Sequence, residues 1–307
     1  MQWFFVALVA PFLWAIVNIA DNYLVSRFSR KEEERSSGAL VLFSSLIGIL
    51  ISFLIWAFKP DIFDVPILDK LLLTTTGILT VSWIILYLFS LELEETSAIV
   101  PWFLSVPVFG YILGYFFLGE TLTGSQFLGS GIIFLGLILL SFNFGAEKKS
   151  ARSKKHIFYM IFACLAIAIS SVIFKYVTIE GNFWVSSFWE YFGIGTTGFL
   201  IFLFVPHYRE SFLHMNRTAG KTIMAVNIMS EFMSVAGNLL TNFAFLLAPV
   251  SMVLLVGSFQ PAIVLILTLF ATKFFPNIVK EDTHKNVLVP KVIATIIMIT
   301  GSVILFL

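Results

Sequence analysis

The sequence predicts an all-α polytopic membrane protein of ten transmembrane helices, arranged as two five-helix inverted repeats. Three observations carry that expectation. The 307-residue chain is 59% hydrophobic and 12% charged, with a mean hydropathy of +0.97, where soluble proteins have roughly 45–50% apolar and ~25% charged residues. Its apolar runs are long and uniform, near the ~20 residues that cross a ~30 Å hydrocarbon core, and lack the alternation of a membrane β-barrel. The two halves also carry matching residues at near-constant offsets.

The ten segments fall at about 3–26, 37–58, 70–90, 97–118, 124–144, 156–178, 183–205, 220–246, 249–273 and 288–307. The first follows Met1-Gln2 with no positive n-region, and its apolar stretch runs to about Arg27. That is longer than the core of a signal peptide, so it reads as an uncleaved span. The fourth and ninth carry prolines (Pro101 and Pro107, Pro249 and Pro261), which free backbone carbonyls inside a helix. The fifth opens on Thr123-x-x-Gln126, the pattern of a capping box. After it, the basic stretch Gly145–Lys155 divides a first repeat (1–144) from a second (156–307), and residues 145–155 form a linker.

Lys and Arg set the orientation. Sixteen of the nineteen lie in the loops after segments 1, 5, 7 and 9, and only Lys59, Lys70 and Lys175 lie on the other side. By the positive-inside rule the first side is cytosolic and both termini lie outside, in the plasma (inner) membrane.

The repeat pairs Ser97 and Pro107 with Ser251 and Pro261, Asn22-Tyr23 with Lys175-Tyr176, Asn18 with Ser171, and Gly136 with Gly301. An odd number of helices in each half forces the repeats to be inverted, the architecture of many secondary transporters, whose substrate sites lie between the halves near the midplane.

Leu118-Gly119-Glu120-Thr121-Leu122-Thr123-Gly124-Ser125-Gln126, followed by Gly129, Gly131 and Gly136, resembles the LGE-x-x-T-x-x-Q-x-x-G signature of EamA-type proteins of the drug/metabolite transporter superfamily. Pro107-Val108-Phe109 with Gly110 and Gly114 is similar to that family's fourth helix. The resemblance implies ten helices in two repeats and a metabolite or drug as cargo. It also implies cytosolic termini, the reverse of the charge count, which we retain. In the second half the signature is degenerate, with Thr272-Lys273-Phe274 opposite Leu118-Gly119-Glu120. Physically the signature reads as structural. Glu120 suits the positive end of the helix that follows it, and Gly110, Gly114, Gly129 and Gly136 allow close helix approach.

Ionisable residues at membrane depth are functional candidates. Glu231 is the strongest, about 16 Å into the eighth segment at 1.5 Å per residue. Asn227, Glu231, Ser234, Asn238, Thr241 and Asn242 share one face of that segment, whereas the third segment has Leu73, Gly77 and Thr80 at the matching positions. This face is expected to line a substrate cavity, with Glu231 as a site for a coupling proton. Its asparagines read alternatively as hydrogen-bond glue to segments 6 or 9. Trp14, Asn18, Asp21 and Asn22 line the first segment in the same way, with Ser171 as the repeat partner of Asn18. Asp21 reads equally as an interfacial partner of Arg27. Gln260, just before Pro261, joins the cavity set. Lys175 and Glu190 sit at comparable depth near one membrane face and are expected to pair, as a gate or as a staple. Trp83 and Trp102 read either as ligand-stacking rings or as packing.

Other functions lose support. One cysteine, Cys164, and four histidines at helix ends or in loops supply no metal site and no catalytic constellation, so the chain is not expected to be an enzyme or to carry a cofactor. A net charge of +1 offers no field for nucleic acid, and no P-loop is present to drive an ATP-powered pump. The expected partners are a small-molecule substrate and the lipid bilayer, with the chain acting as a monomer. A flippase for a lipid-linked substrate is the alternative.

Overall fold

In a computed structural model the described residues are 2–28, 36–93, 100–141, 155–178, 181–274 and 285–304. Among them there is no strand. Twelve α-helices follow in order: α1 (Gln2–Phe28), α2 (Ser36–Phe58), α3 (Ile67–Leu93), α4 (Ser105–Leu118), α5 (Gly124–Ser141), α6 (Lys155–Thr178), α7 (Phe183–Phe204), α8 (Pro206–Thr218), α9 (Lys221–Phe245), α10 (Val250–Gly257), α11 (Gln260–Phe274) and α12 (Lys285–Ile304). Short 3-10 turns, Pro60–Phe63 and Val100–Leu104, precede α3 and α4. The linker 145–154, the C-terminal residues and the side chains of Asp21, Asn22, Arg27, Pro101 and Pro261 lie outside the described residues.

Within the described residues each expected segment falls on helix, with two refinements; residues 97–99, 142–144 and 305–307 lie outside the described residues. Segments 4 and 9 are broken, and at related places. The 3-10 turn gives way to α4 two residues before Pro107, and α10 gives way to α11 one residue before Pro261. The proline at the first turn of each second piece needs no amide partner there. The second refinement is α8, a helix too polar to cross a bilayer (PHYRESFLHMNRT) that bends 101° away from α7. Its Ser211 and Met215 are buried, Phe212 meets the Phe43 ring of α2, and Tyr208 packs over Gly38.

Among the described residues six helices are long and apolar enough to span a membrane by length and composition, or seven with the bent α7–α8 pair as one span. Large apolar side chains point outward around the bundle, Phe116 at 74% and Phe117 at 67% exposure among them. Soluble proteins rarely leave so much apolar surface uncovered. The chain has the make-up of a multi-pass integral membrane protein.

Packing runs between the halves more than within them. α3 lies against α6 and α7, α1 against α9, α10 and α11, α2 against α7, α4 against α6 and α10, and α5 against α12. Close approach relies on small residues. A Cβ at Gly301 would sit 2.8 Å from the backbone nitrogen of Ile133 and 2.9 Å from the carbonyl of Gly129, and one at Gly136 3.0 Å from the carbonyl of Ala294. That is the basis of the α5–α12 contact.

Candidate functional site

The signature residues build one local structure. Gly119 ends α4 in the left-handed conformation, φ 65°, and its N–H donates to the carbonyl of Gly114, as helix C-caps commonly do. Thr123 and Gln126 form the expected capping box: the Thr123 N–H donates to Gln126 Oε1 at 3.0 Å, and the Gln126 N–H to Thr123 Oγ1 at 3.2 Å. Pro107 is buried in the first turn of α4.

Glu120 does not serve the helix that follows it. The turn carries its carboxylate back beside Gly114, whose missing side chain leaves the room: a Cβ there would be 2.7 Å from Glu120 Oε2. From this niche Glu120 Oε2 accepts the Val250 N–H at 2.8 Å, capping α10. Glu120 Oε1 meets Lys175 Nζ of α6 at 2.5 Å.

The expected Lys175–Glu190 pair is therefore corrected. Lys175 Nζ is held by Glu120 and by the carbonyl of Ala248, 2.7 Å away, just beyond the C-terminal end of α9. Charges and helix ends alternate in sign around the cluster: the negative end of α9, Lys175, Glu120, the positive end of α10. Each charge satisfies a backbone group that a helix terminus leaves open. Glu190, on α7, takes a different partner, the Asn242 side-chain amide, which donates to its Oε2 at 2.6 Å. Sequence depth places Glu120 and Glu190 equally well for Lys175. What separates them is direction around the helix axis, which depth does not contain.

The polar face of α9 meets α2, α7 and α1. Glu231, partly buried, accepts a hydrogen bond from the Ser44 hydroxyl of α2. Asn238 donates to the Tyr191 hydroxyl at 3.4 Å, and that hydroxyl donates to the carbonyl of Val235 at 3.3 Å. Asn227 is buried and Ser234 partly so. The indole of Trp14 lies against Gly237, where a Cβ would be 2.7 Å from Nε1. These hydrogen bonds run to α7 and α2. Ser171 binds its own helix, donating to the carbonyl of Ile167 at 2.9 Å. Asn18 is exposed, and Gln260 opens α11 half-buried. Tyr191 and Ser44 were missed by sequence reasoning. A tyrosine beside Glu190 was the available signal, and a serine in an apolar helix was too faint.

Two rings named from sequence are packing groups. Trp83 stands edge-on to Phe103 at 6.3 Å, and Trp102 packs beside Val106, Met160 and Cys164. Among the described residues no group of His, Cys, Asp and Glu could hold a metal ion.

The apolar helical bundle is that of a polytopic membrane protein. Residues 1–142 match the model of the EamA-like transporter family, so the first part of the chain is similar to that family, consistent with a membrane transporter of the drug/metabolite transporter superfamily. Among solved structures, one crystal structure, described only as that of a protein, superposes with a TM-score of 0.70 at 12% identity, covering 99% of this chain and 96% of that one. At that identity the likeness is one of fold. Among curated proteins no relative matches.

Proposed function

We propose that the chain is a secondary transporter that moves a small organic metabolite by alternating access of two inverted five-helix repeats, with both termini outside. The polar face of α9 supports this reading: Glu231, ten residues into that helix, meets Ser44 of the first half. The helix pairing supports the repeat. Exchanging the halves turns α3–α6 into α9–α1, turns α4–α6 into the pairing of α1 with α10 and α11, and returns α2–α7 and α5–α12 to themselves. The breaks before Pro107 and Pro261 fall at exchanged positions too. Broken helices of this kind border the sites of many transporters.

In this reading Glu231 carries a coupling proton. A carboxylate in a low-dielectric setting is costly to keep charged, and contact with water in only one open state lets it load and release a proton in turn. Ser44 orients the group. Glu231→Gln keeps shape and hydrogen bonding but removes titration. In proteoliposomes this variant is expected to lose gradient-driven accumulation while retaining energy-independent exchange. Loss of both together would make Glu231 a direct substrate ligand, and wild-type behaviour in both would remove it from the site.

A further inference from the structure

The two ends of the pathway are built from unlike chemistry. One end holds the α4–α5 turn, the C-terminal turn of α6, the start of α7 and the α9–α10 turn; we call it the clasp end. There Glu120 and Lys175 tie three elements together. The 3-10 turn before α3 folds over the same end: Trp189 Nε1 of α7 donates to the carbonyl of Ile62 at 3.0 Å, and the Phe63 ring lies 6.0 Å from the Trp189 ring. Deeper in, α3 and α7 meet backbone to backbone. A Cβ at Gly77 would collide with the carbonyl of Glu190, and one at Gly193 with that of Thr74. Gly77 and Gly193 each lie ten residues past their helix starts, so the seam runs about 15 Å inward from the clasp end.

The repeat-related positions cannot form these features. Phe274 stands opposite Glu120 in the repeat, Asn22 opposite Lys175, and Glu231 opposite Gly77. No ion pair can form between phenylalanine and asparagine. A glutamate side chain also keeps its helix from approaching as a glycine does. Accordingly α2 and α9 form no counterpart to the α3–α7 seam and are bridged by Ser44 and Glu231 instead.

We propose that the Glu120–Lys175 clasp and the Gly77–Gly193 seam hold the clasp end shut at rest, and that the unlike residues at the related positions bias the transporter toward opening at the opposite end. This rests on the alternating-access reading. It gives the family-signature glutamate a task in the transport cycle: the pair must part each time the clasp end opens. The bias is a difference in free energy between two states of one bundle, which substrate then shifts.

The test needs neither substrate nor gradient, so its failure is distinct from failure of the transport reading. Ser187 on α7 and Ser251 on α10 are buried near the clasp end, and their hydroxyls have no hydrogen-bond partner. Each accepts a cysteine with little change of shape. In a Cys164→Ser background, Ser187→Cys or Ser251→Cys is placed in full-length protein in nanodiscs, where both faces are open to a membrane-impermeant maleimide. Slow labelling is expected, rising about tenfold or more when Glu120→Gln or Lys175→Met is added, well below the melting temperature. Gly77→Ala, which wedges the seam with the clasp intact, is expected to raise it likewise, and it decides the matter if the charge variants fail to fold. Gly131→Ala, where a Cβ meets open space, is expected to leave the rate unchanged. Fast labelling with the clasp and seam intact, or a rate unmoved by the folded clasp variants and by Gly77→Ala, would overturn the proposal.

Discussion

Replacing Lys175 by methionine tests what the buried ion pair contributes to stability. Methionine keeps the apolar stem and removes the ammonium. Both side chains of the pair are only 11% exposed, so the change leaves Glu120 charged, with the Val250 N–H as its remaining donor here, and takes the Lys175 bond from the Ala248 carbonyl. Removing one member of a buried pair costs about 3–5 kcal/mol, most of it the stranded charge. Lys175→Met with Glu120→Gln strands nothing charged. Glutamine still presents an oxygen to the Val250 N–H, and what remains is the lost bond to Ala248, about 1 kcal/mol. The double variant is therefore expected to be more stable than Lys175→Met alone by roughly 2 kcal/mol or more. Reversible unfolding in mixed micelles against rising dodecyl sulfate measures all the states. A cost below about 1 kcal/mol for Lys175→Met, or a double variant at the sum of the singles, would mean the pair is not the buried, isolated unit described.

Two further outcomes follow from packing and charge. At Gly301 a new side chain meets the backbone of Ile133 and Gly129, so Gly301→Leu is expected to cost about 1–3 kcal/mol by forced separation of α5 and α12; equal folded yields of this variant and wild type would contradict the contact. With sixteen of nineteen basic residues on one side, a C-terminal reporter active only in the cytosol is expected to stay dark, and a bright fusion would reverse the orientation.

Helix boundaries were legible because apolar run length and turn chemistry are local properties. Thr123 and Gln126 are three residues apart, so their reciprocal bonds could be read directly, and the prolines marked both broken segments. Contacts across the bundle were not local. Glu120 and Lys175 are 55 residues apart, and their meeting depends on the left-handed turn at Gly119 and the niche at Gly114. The helix α8 escaped notice because its inward-facing hydrophobic residues, Tyr208, Phe212 and Met215, are too few to register in a spanning window. Their spacing becomes a face only once α2 is beside them. The stripe on α9 was visible from its periodicity, but its partners on α7 were not, since a period says which residues share a face and nothing about what that face meets.

The alternation of sign around Lys175 and Glu120 has an electrical consequence. A transmembrane potential does work of about 2.3 kcal/mol on each elementary charge carried across 100 mV. The cluster contains one positive and one negative side chain a hydrogen bond apart, flanked by helix termini of compensating sign, so its net charge is zero and its dipole is short. While the pair is closed, the field finds almost nothing there to push. Voltage dependence would have to enter through charges that travel further, such as a charged cargo or a proton carried on Glu231 in the proposed cycle, and the closed clasp would be as tight in an energised membrane as in a depolarised one.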